Sequence, residues 1–428
     1  MLCGALLACA PPPGSGVASR PAGTPPAGAS PFLAPAPARP PASLPSLIPA
    51  APSARAYASK QEPAYRGPPP DALRDGILED ARAASRRAGR PLPVADARLD
   101  WVMTDLAHHV RGDDLPAPDA VDFLLSHYGI VDPPPQLLLS GGTVGADDQI
   151  REHARAVSEE LLRAGPLGRI GIGIDRGGGE IHVGVGFQAT HLDLLAPVPR
   201  RLPPGGRTPI SARVEAGYSG AQLVITAPAG DVHEEVASTQ LGHLGSELRC
   251  GADGRYQVEI TATGAAGPAV LANFPVYCGV VPPARGAGGA GMEPVVADPD
   301  RAEQEMIALV NGDRARARLP ALAADRRLAA IARAHSRDMA EHDFVGHVSP
   351  RTGSTADRVH AAGLNPELIL ENVGRAFGPR DAETGLLASP GHRGNLLDPR
   401  ARRIGIGIVF GPPVTGIRPM FVTQLFTN

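Results

Sequence analysis

The chain has 428 residues, a formal net charge of −3 and 43% hydrophobic residues, of which few are aromatic. That length predicts several folded units, since single cores stop growing beyond roughly 250–300 residues. The charge gives no electrostatic case for a nucleic-acid partner, and no apolar run reaches the ~20 residues of a membrane helix.

In chain order, the first feature is MLCGALLACA at residues 1–9 and just beyond. It resembles a bacterial lipoprotein signal remnant with Cys9 as the lipidation site, although it lacks a basic start and its apolar stretch is short. Residues 10–70 hold 18 of the 47 prolines and no acidic residue before Glu62. Such Pro/Ala-rich sequence reads as a disordered, semi-extended tether. A lipid anchor with a spacer would be the chain's one link to a membrane.

Residues 71–196 read as an α/β unit. Helices are expected after residue 71, over about 96–110 (Leu99, Val102, Met103 and Leu106 on one stripe) and over about 150–163. RIGIGIDRGGGEIHVGVGF then gives two strands joined at the glycine run 177–179. Residues 197–285 change period: ISARVEA, AQLVITAP, GRYQVEITAT and AVLANFPVYCG are short alternating runs between Gly and Pro. They predict an all-β module, a sandwich of immunoglobulin-like size. Cys250 and Cys278 fall in this module, and in an exported chain their default state is a disulfide. A Gly/Ala-rich linker occupies 286–299. In residues 300–428, AEQEMIALVNGDRARA and DRRLAAIARAHSRDMAEH are amphipathic helices, and RIGIGIVFGPPVTGIRPMFVTQLF is a closing strand pair.

The first and third units repeat. Asp96 aligns with Asp325 and Leu99 with Leu328; GRIGIGI aligns with RRIGIGI, placing Gly171 against Gly405. The overall fold class is therefore α+β: two related α/β units with a β-sandwich between them.

Candidate chemistry lies in the third unit, in FVGHVSP (His347), LENVG (Glu371) and SPGHRGN (His392). Two imidazoles and one carboxylate are a sufficient donor set for Zn²⁺ or another divalent cation, leaving a position for water. These stretches, with AHSRDM before them and RIGIGI and FVTQLF after, resemble the CAP superfamily of SCP-like extracellular domains, bacterial branch, over about 300–428. The resemblance implies an α-β-α sandwich and a cleft whose His/Glu tetrad binds a divalent metal in some members. His347, Glu371 and His392 match three tetrad positions. The fourth, a glutamate before the last histidine, is absent: Ser389 stands near its place and Glu383 is out of register. His335 reads as a packed, hydrogen-bonded histidine and His342 as solvated. In the first unit SGGTV (140–144) and RAGPLG fall where LENVG and SPGHRGN belong, so that unit reads as a degenerate copy without a metal site.

The resemblance implies an extracellular or cell-envelope protein, lipid-anchored at the outer membrane or periplasm, that binds a lipid or cell-wall ligand in the His/Glu cleft, with the metal weakly held. The alternatives are a metal-dependent hydrolase, with Glu371 as candidate base, and a structural or adhesion protein. An enzyme is the less favoured reading, because no nucleophile motif is present.

Overall fold

The computed structural model describes residues 46–61, 65–109, 116, 118–164, 167–236, 243–265, 267–286, 298–412 and 418–428. Cys9, the leader and most of the 286–299 linker lie outside the described residues.

The first unit comprises β1 (Ala56–Tyr57), α1 (Ala72–Arg87), β2 (Val94–Ala95), α2 (Ala97–His109), α3 (Pro118–His127), β3 (Gln136–Thr143), α4 (Asp147–Ala164), β4 (Arg169–Gly177) and β5 (Glu180–Gln188). The middle module holds β6 (Leu192–Leu194), β7 (Val198–Pro199), β8 (Arg201–Leu202), β9 (Arg207–Val214), β10 (Ser219–Thr226), β11 (Val232–Val236), β12 (His243–Arg249), β13 (Gly254–Gly264) and β14 (Gly267–Cys278). The third unit comprises α5 (Pro299–Arg316), β15 (Ala323–Ala324), α6 (Arg326–His342), α7 (Thr355–Ala361), β16 (Ile369–Ala376), α8 (Pro379–Ala388), α9 (Pro390–Leu396), β17 (Arg403–Phe410) and β18 (Met420–Thr427).

Among the described residues the outer units share one sheet topology. The order is β2-β4-β5-β3 in one and β15-β17-β18-β16 in the other. In each, the short first strand runs parallel to its neighbour and the remaining pairs are antiparallel. The Ile-Gly alternation explains the layers, because successive strand residues face opposite sides. Ile404, Ile406 and Ile408 pack with Met306 and Val310 of α5 and Leu386 of α8. Gly405 and Gly407 face α6 on the other side. A Cβ at Gly407 would fall 2.0 Å from the Arg333 amide nitrogen, and one at Gly173 would fall 1.9 Å from that of Thr104. The missing side chains are what let helix backbone lie directly on strand. Arg333 and Thr104 are 229 residues apart, the same offset as the aligned helices.

The middle module packs two sheets, β11-β10-β13-β14-β8 and β12-β9-β6, around Ile210, Leu223, Leu248, Val258, Ile260, Phe274 and Val276. With β8 joined parallel to β14, the strand order establishes a two-sheet β module and not an immunoglobulin topology in particular. Cys250 and Cys278 are disulfide-bonded with a Cα–Cα distance of 5.7 Å, linking the end of β12 to the end of β14.

The disordered tether expected over 10–70 needs correction at its C-terminal end. Residues 46–61 are part of the fold. Leu47 pairs with Gly286 through both backbone groups, and β1 pairs with β7. Tyr57 is fully buried, its hydroxyl donating to the Pro275 carbonyl at 2.6 Å. Arg98 and Arg169 donate to the carbonyls of Ala58 and Ser59, while Asp96 and Asp132 neutralise them. Composition misleads here because two apolar anchors and a few carbonyl acceptors suffice to hold an otherwise Pro/Ala-rich strand. The helix α3, rich in buried Val121, Leu124 and Leu125, also lies where no element is expected from the sequence.

Two outcomes test this architecture. Gly407→Ala should destabilise the protein by at least about 1–3 kcal/mol in urea denaturation, by overpacking, while Gly374→Ala, which meets nothing closer than Val422 Cγ1 at 3.6 Å, should be tolerated. Replacing both cysteines by Ser should cost about 3.5 kcal/mol, the loop-closure value for a separation of 28 residues.

Candidate functional site

Each site residue is delivered by a different element. Helix α6 ends at Asp343 in the left-handed conformation (φ 47°), which turns the chain into the loop bearing His347. His335, buried on α6, holds that loop by a 2.8 Å hydrogen bond between its Nε2 and the Gly346 carbonyl. Ser349 Oγ donates to Asp338 Oδ2, and Arg351 pairs with Asp338 and His342. His335 is thus the packed, hydrogen-bonded histidine its stripe predicts; His342 is exposed but held against Arg351.

Glu371 stands on β16, opposite Leu425 of β18. Its Oε1 accepts from His347 Nδ1 at 2.9 Å and from Thr355 Oγ1 at 2.7 Å. Its Oε2 accepts from Arg358 Nη2 at 2.7 Å. The Glu371 side chain is 2% exposed and Arg358 is 5% exposed. Burial disfavours the carboxylate, but the His347 hydrogen bond and the Arg358 charge outweigh it and hold its pKa below the ordinary range. Arg358 also donates to the carbonyls of His347 and Gly353. Neither Arg358 nor Thr355 is marked out in the sequence; an arginine on a short helix carries no pattern distinguishing it from a solvated one.

His392 comes from α9, where Pro390 starts a new helix after α8. Its ring centre lies 6.4 Å from that of His347. Burial, then the neighbouring His347, pushes its pKa down to about 4, so it is a neutral imidazole at physiological pH. Asn372 Nδ2 donates to the His392 carbonyl and to Gln424 Oε1. Asn395 Nδ2 donates to the Glu371 carbonyl and to Asn372 Oδ1. These amides tie β16 to α9 by side chain as well as backbone. Glu383 points elsewhere, accepting from Gln424 Nε2 in the interior.

As placed, His347, Glu371 and His392 do not fit a three-ligand divalent-metal centre. Both Glu371 oxygens are occupied by protein donors, and the guanidinium of Arg358 supplies the positive charge beside them. Among the described residues no group of three or more His, Cys, Asp or Glu is arranged to hold a metal ion. What the geometry offers is a fixed His347, its Nδ1 bonded to Glu371, with its ring centre 6.4 Å from that of a neutral His392.

The first unit lacks this chemistry, and strand register shows where it is lost. Gly405, Leu425 and Glu371 are cross-strand neighbours, as are Gly171, Gly186 and Leu137. Leu137 therefore stands in the place of Glu371, Leu138 in that of Asn372 and Val185 in that of Gln424. The stretch equivalent to LENVG is thus residues 136–140, and not the SGGTV at 140–144 that sequence alignment selects. Helix α4 runs unbroken through Ala164 where α8 and α9 divide.

Arg358→Met should leave the buried Glu371 carboxylate without its cation and cost about 3–5 kcal/mol at neutral pH. The wild-type Glu371, with its lowered pKa, adds stability above the ordinary glutamate pKa of about 4.3 that is lost on acidification through its folded-state value. The variant carboxyl should titrate above the ordinary value, so its stability should rise on acidification from that raised pKa down to about 4.3, a range over which the wild-type contribution is level, and stay level below it, where the wild type's falls. Denaturation curves at several pH values read this directly.

Residues 307–426 match the family model of CAP, the cysteine-rich secretory protein family. Among curated proteins, the uncharacterized protein YkwD of Bacillus subtilis (strain 168) is 32% identical over 108 residues, 25% of this chain and 42% of that protein. The uncharacterized membrane protein YlbC of the same strain is 33% identical over 108 residues, 25% of this chain and 31% of its own length. The chain thus spans less than half of the curated relatives it matches. Among solved structures, an extracellular protein containing an SCP domain from Bacillus anthracis str. Ames aligns with 43% of this chain and 64% of its own, at 21% identity and a TM-score of 0.28. No helix among the described residues is long and apolar enough to cross a membrane. The α-β-α unit that carries His347, Glu371 and His392 is a CAP domain.

Proposed function

We propose that the CAP domain binds a hydroxyl-rich cell-wall glycan outside the cytoplasm, at the paired imidazoles of His347 and His392. The observation that carries this reading is the pair of imidazoles whose ring centres stand 6.4 Å apart, one fixed by Glu371 and the other neutral. The neutral His392 imidazole offers both a donor and an acceptor to sugar hydroxyls without a charge to desolvate, beside a His347 ring held in place by Glu371. Thr355 and Asn395, half-buried beside the pair, are polar, which favours a glycan over a lipid tail. The same geometry disfavours the hydrolase reading: Glu371 is ion-paired to Arg358, its proton affinity is lowered, and both its oxygens already accept from protein donors. Export is supported by the disulfide, which persists in oxidising compartments, and by the family assignment. Anchoring through Cys9 extends the same proposal to residues outside the described structure.

The test is co-sedimentation of the full chain with purified insoluble peptidoglycan, with phosphatidylglycerol vesicles as comparator. His347→Ala and His392→Ala should each weaken sedimentation at least about tenfold, the scale of losing one or more buried polar contacts. Equal pelleting of wild type and both variants would overturn the reading, and binding to vesicles alone would transfer the site to lipid.

A further inference from the structure

The β module reaches the CAP domain at both histidine-bearing segments. At the first, Gly267 opens β14 with φ +97°, and a Cβ there would fall 3.2 Å from His347 Cβ and 3.3 Å from Val348 Cγ2. At the second, Glu259 of β13 accepts from Ser389 Oγ at 2.7 Å and from the Gly391 amide at 3.0 Å. Ser389 and Gly391 flank Pro390, where α9 begins and from which His392 projects. A third contact lies alongside, where Gly230 approaches the Arg393 guanidinium.

Strand alternation makes Glu259 unusual. Val258 and Ile260 point into the core of the β module, so Glu259 points out of it, between Val224 of β10 and Asn273 of β14. On an isolated sheet that position would be solvated. Here Glu259 is fully buried, because the CAP turn covers it. Its two partners, a hydroxyl and an amide, carry no charge. Burial accordingly pushes its pKa up to about 7. A carboxyl held at that cost between two modules is an expensive way to pack a surface. It does achieve one thing an apolar residue cannot: it fixes the hydroxyl and the amide of one turn at the same time.

We infer that Glu259 is a positioning residue of the His347–His392 pair: by clamping the Ser389–Gly391 turn it sets His392 opposite His347, so that the binding site is completed by the β module. The inference rests on the reading of that pair as the binding site, but its own readout needs no ligand. The turn lies near where the sequence lacks the expected acidic residue, and the carboxylate that meets it comes from a different module, 130 residues earlier in the chain.

The experiment is diethylpyrocarbonate labelling of the full chain at pH 7, with the rate at each histidine followed by mass spectrometry. Glu259→Ala should free the turn and raise the labelling rate of His392 at least about threefold, with a smaller rise at His347 and none at His243, exposed on β12 of the other sheet of the module. Glu259→Gln should restore the wild-type rate, because its amide oxygen still accepts from Gly391 and its NH₂ donates to Ser389 Oγ. Ser389→Ala, which removes one of the two bonds, should fall between, and it serves where the Glu259→Ala protein does not fold. An unchanged His392 rate in the alanine variants, or a glutamine variant no better than alanine, overturns the inference and reduces Glu259 to packing. If the footprint behaves as expected while the wild type fails to sediment with peptidoglycan, the glycan reading falls and the positioning role stands.

Discussion

The structure depends on helix backbone lying against strand backbone with no side chain between them. In both α/β units a Gly-x-Gly pair on the central strand admits the helix, while the intervening isoleucines fill the opposite layer. This contact fixes how close the helix sits and which residues of the strand face it. The register of β17, β18 and β16 then carries Glu371 to its place across from Leu425 and Gly405. The site is a decoration of that scaffold, and its geometry is inherited from two glycines.

The two units show what the same scaffold costs with and without polar chemistry. Leu137, Leu138 and Val185 make the first unit's sheet apolar where the CAP domain has Glu371, Asn372 and Gln424. Burying a carboxylate is unfavourable unless it is paired and hydrogen-bonded. The CAP domain meets that condition with Arg358, Thr355 and His347, and then links Asn372, Asn395 and Gln424 into one network. A half-satisfied version of such a network is worse than an apolar sheet, so a copy that loses one member gains by losing the others. The apolar triad of the first unit is the stable end point of that logic.

The scaffold was legible in the sequence because its signals are local. Glycine alternating with isoleucine and helices with a clear apolar stripe can be read within a dozen residues. His347, Glu371 and His392 were legible through short motifs in a fixed order. Arg358 was not, since only a partner thirteen residues away distinguishes it from a solvated arginine. Glu259 was not either: the alternation of β13 places it on an outer face, and what buries it arrives from another module. The register slip at SGGTV has a similar cause, because α3 and its flanking loops differ in length from the corresponding part of the CAP domain and an ungapped reading drifts by four residues. Residues 46–61 escaped composition for the opposite reason, since Leu47 and Tyr57 are too few to alter an average but enough to anchor a strand.

That anchored strand has a mechanical consequence. Tension applied to the chain ahead of Leu47 would first load the Leu47–Gly286 bridge, then the two-residue β1–β7 pairing and the Arg98 and Arg169 hydrogen bonds. All of these lie in the first unit, the β module and the segment that leaves it. None of these partners belongs to residues 300–428, so a pull from that end would peel a short strand before it loads the CAP domain. The fold thus behaves as a strain relief, with the sacrificial element at one end and the geometry-sensitive histidine pair at the other.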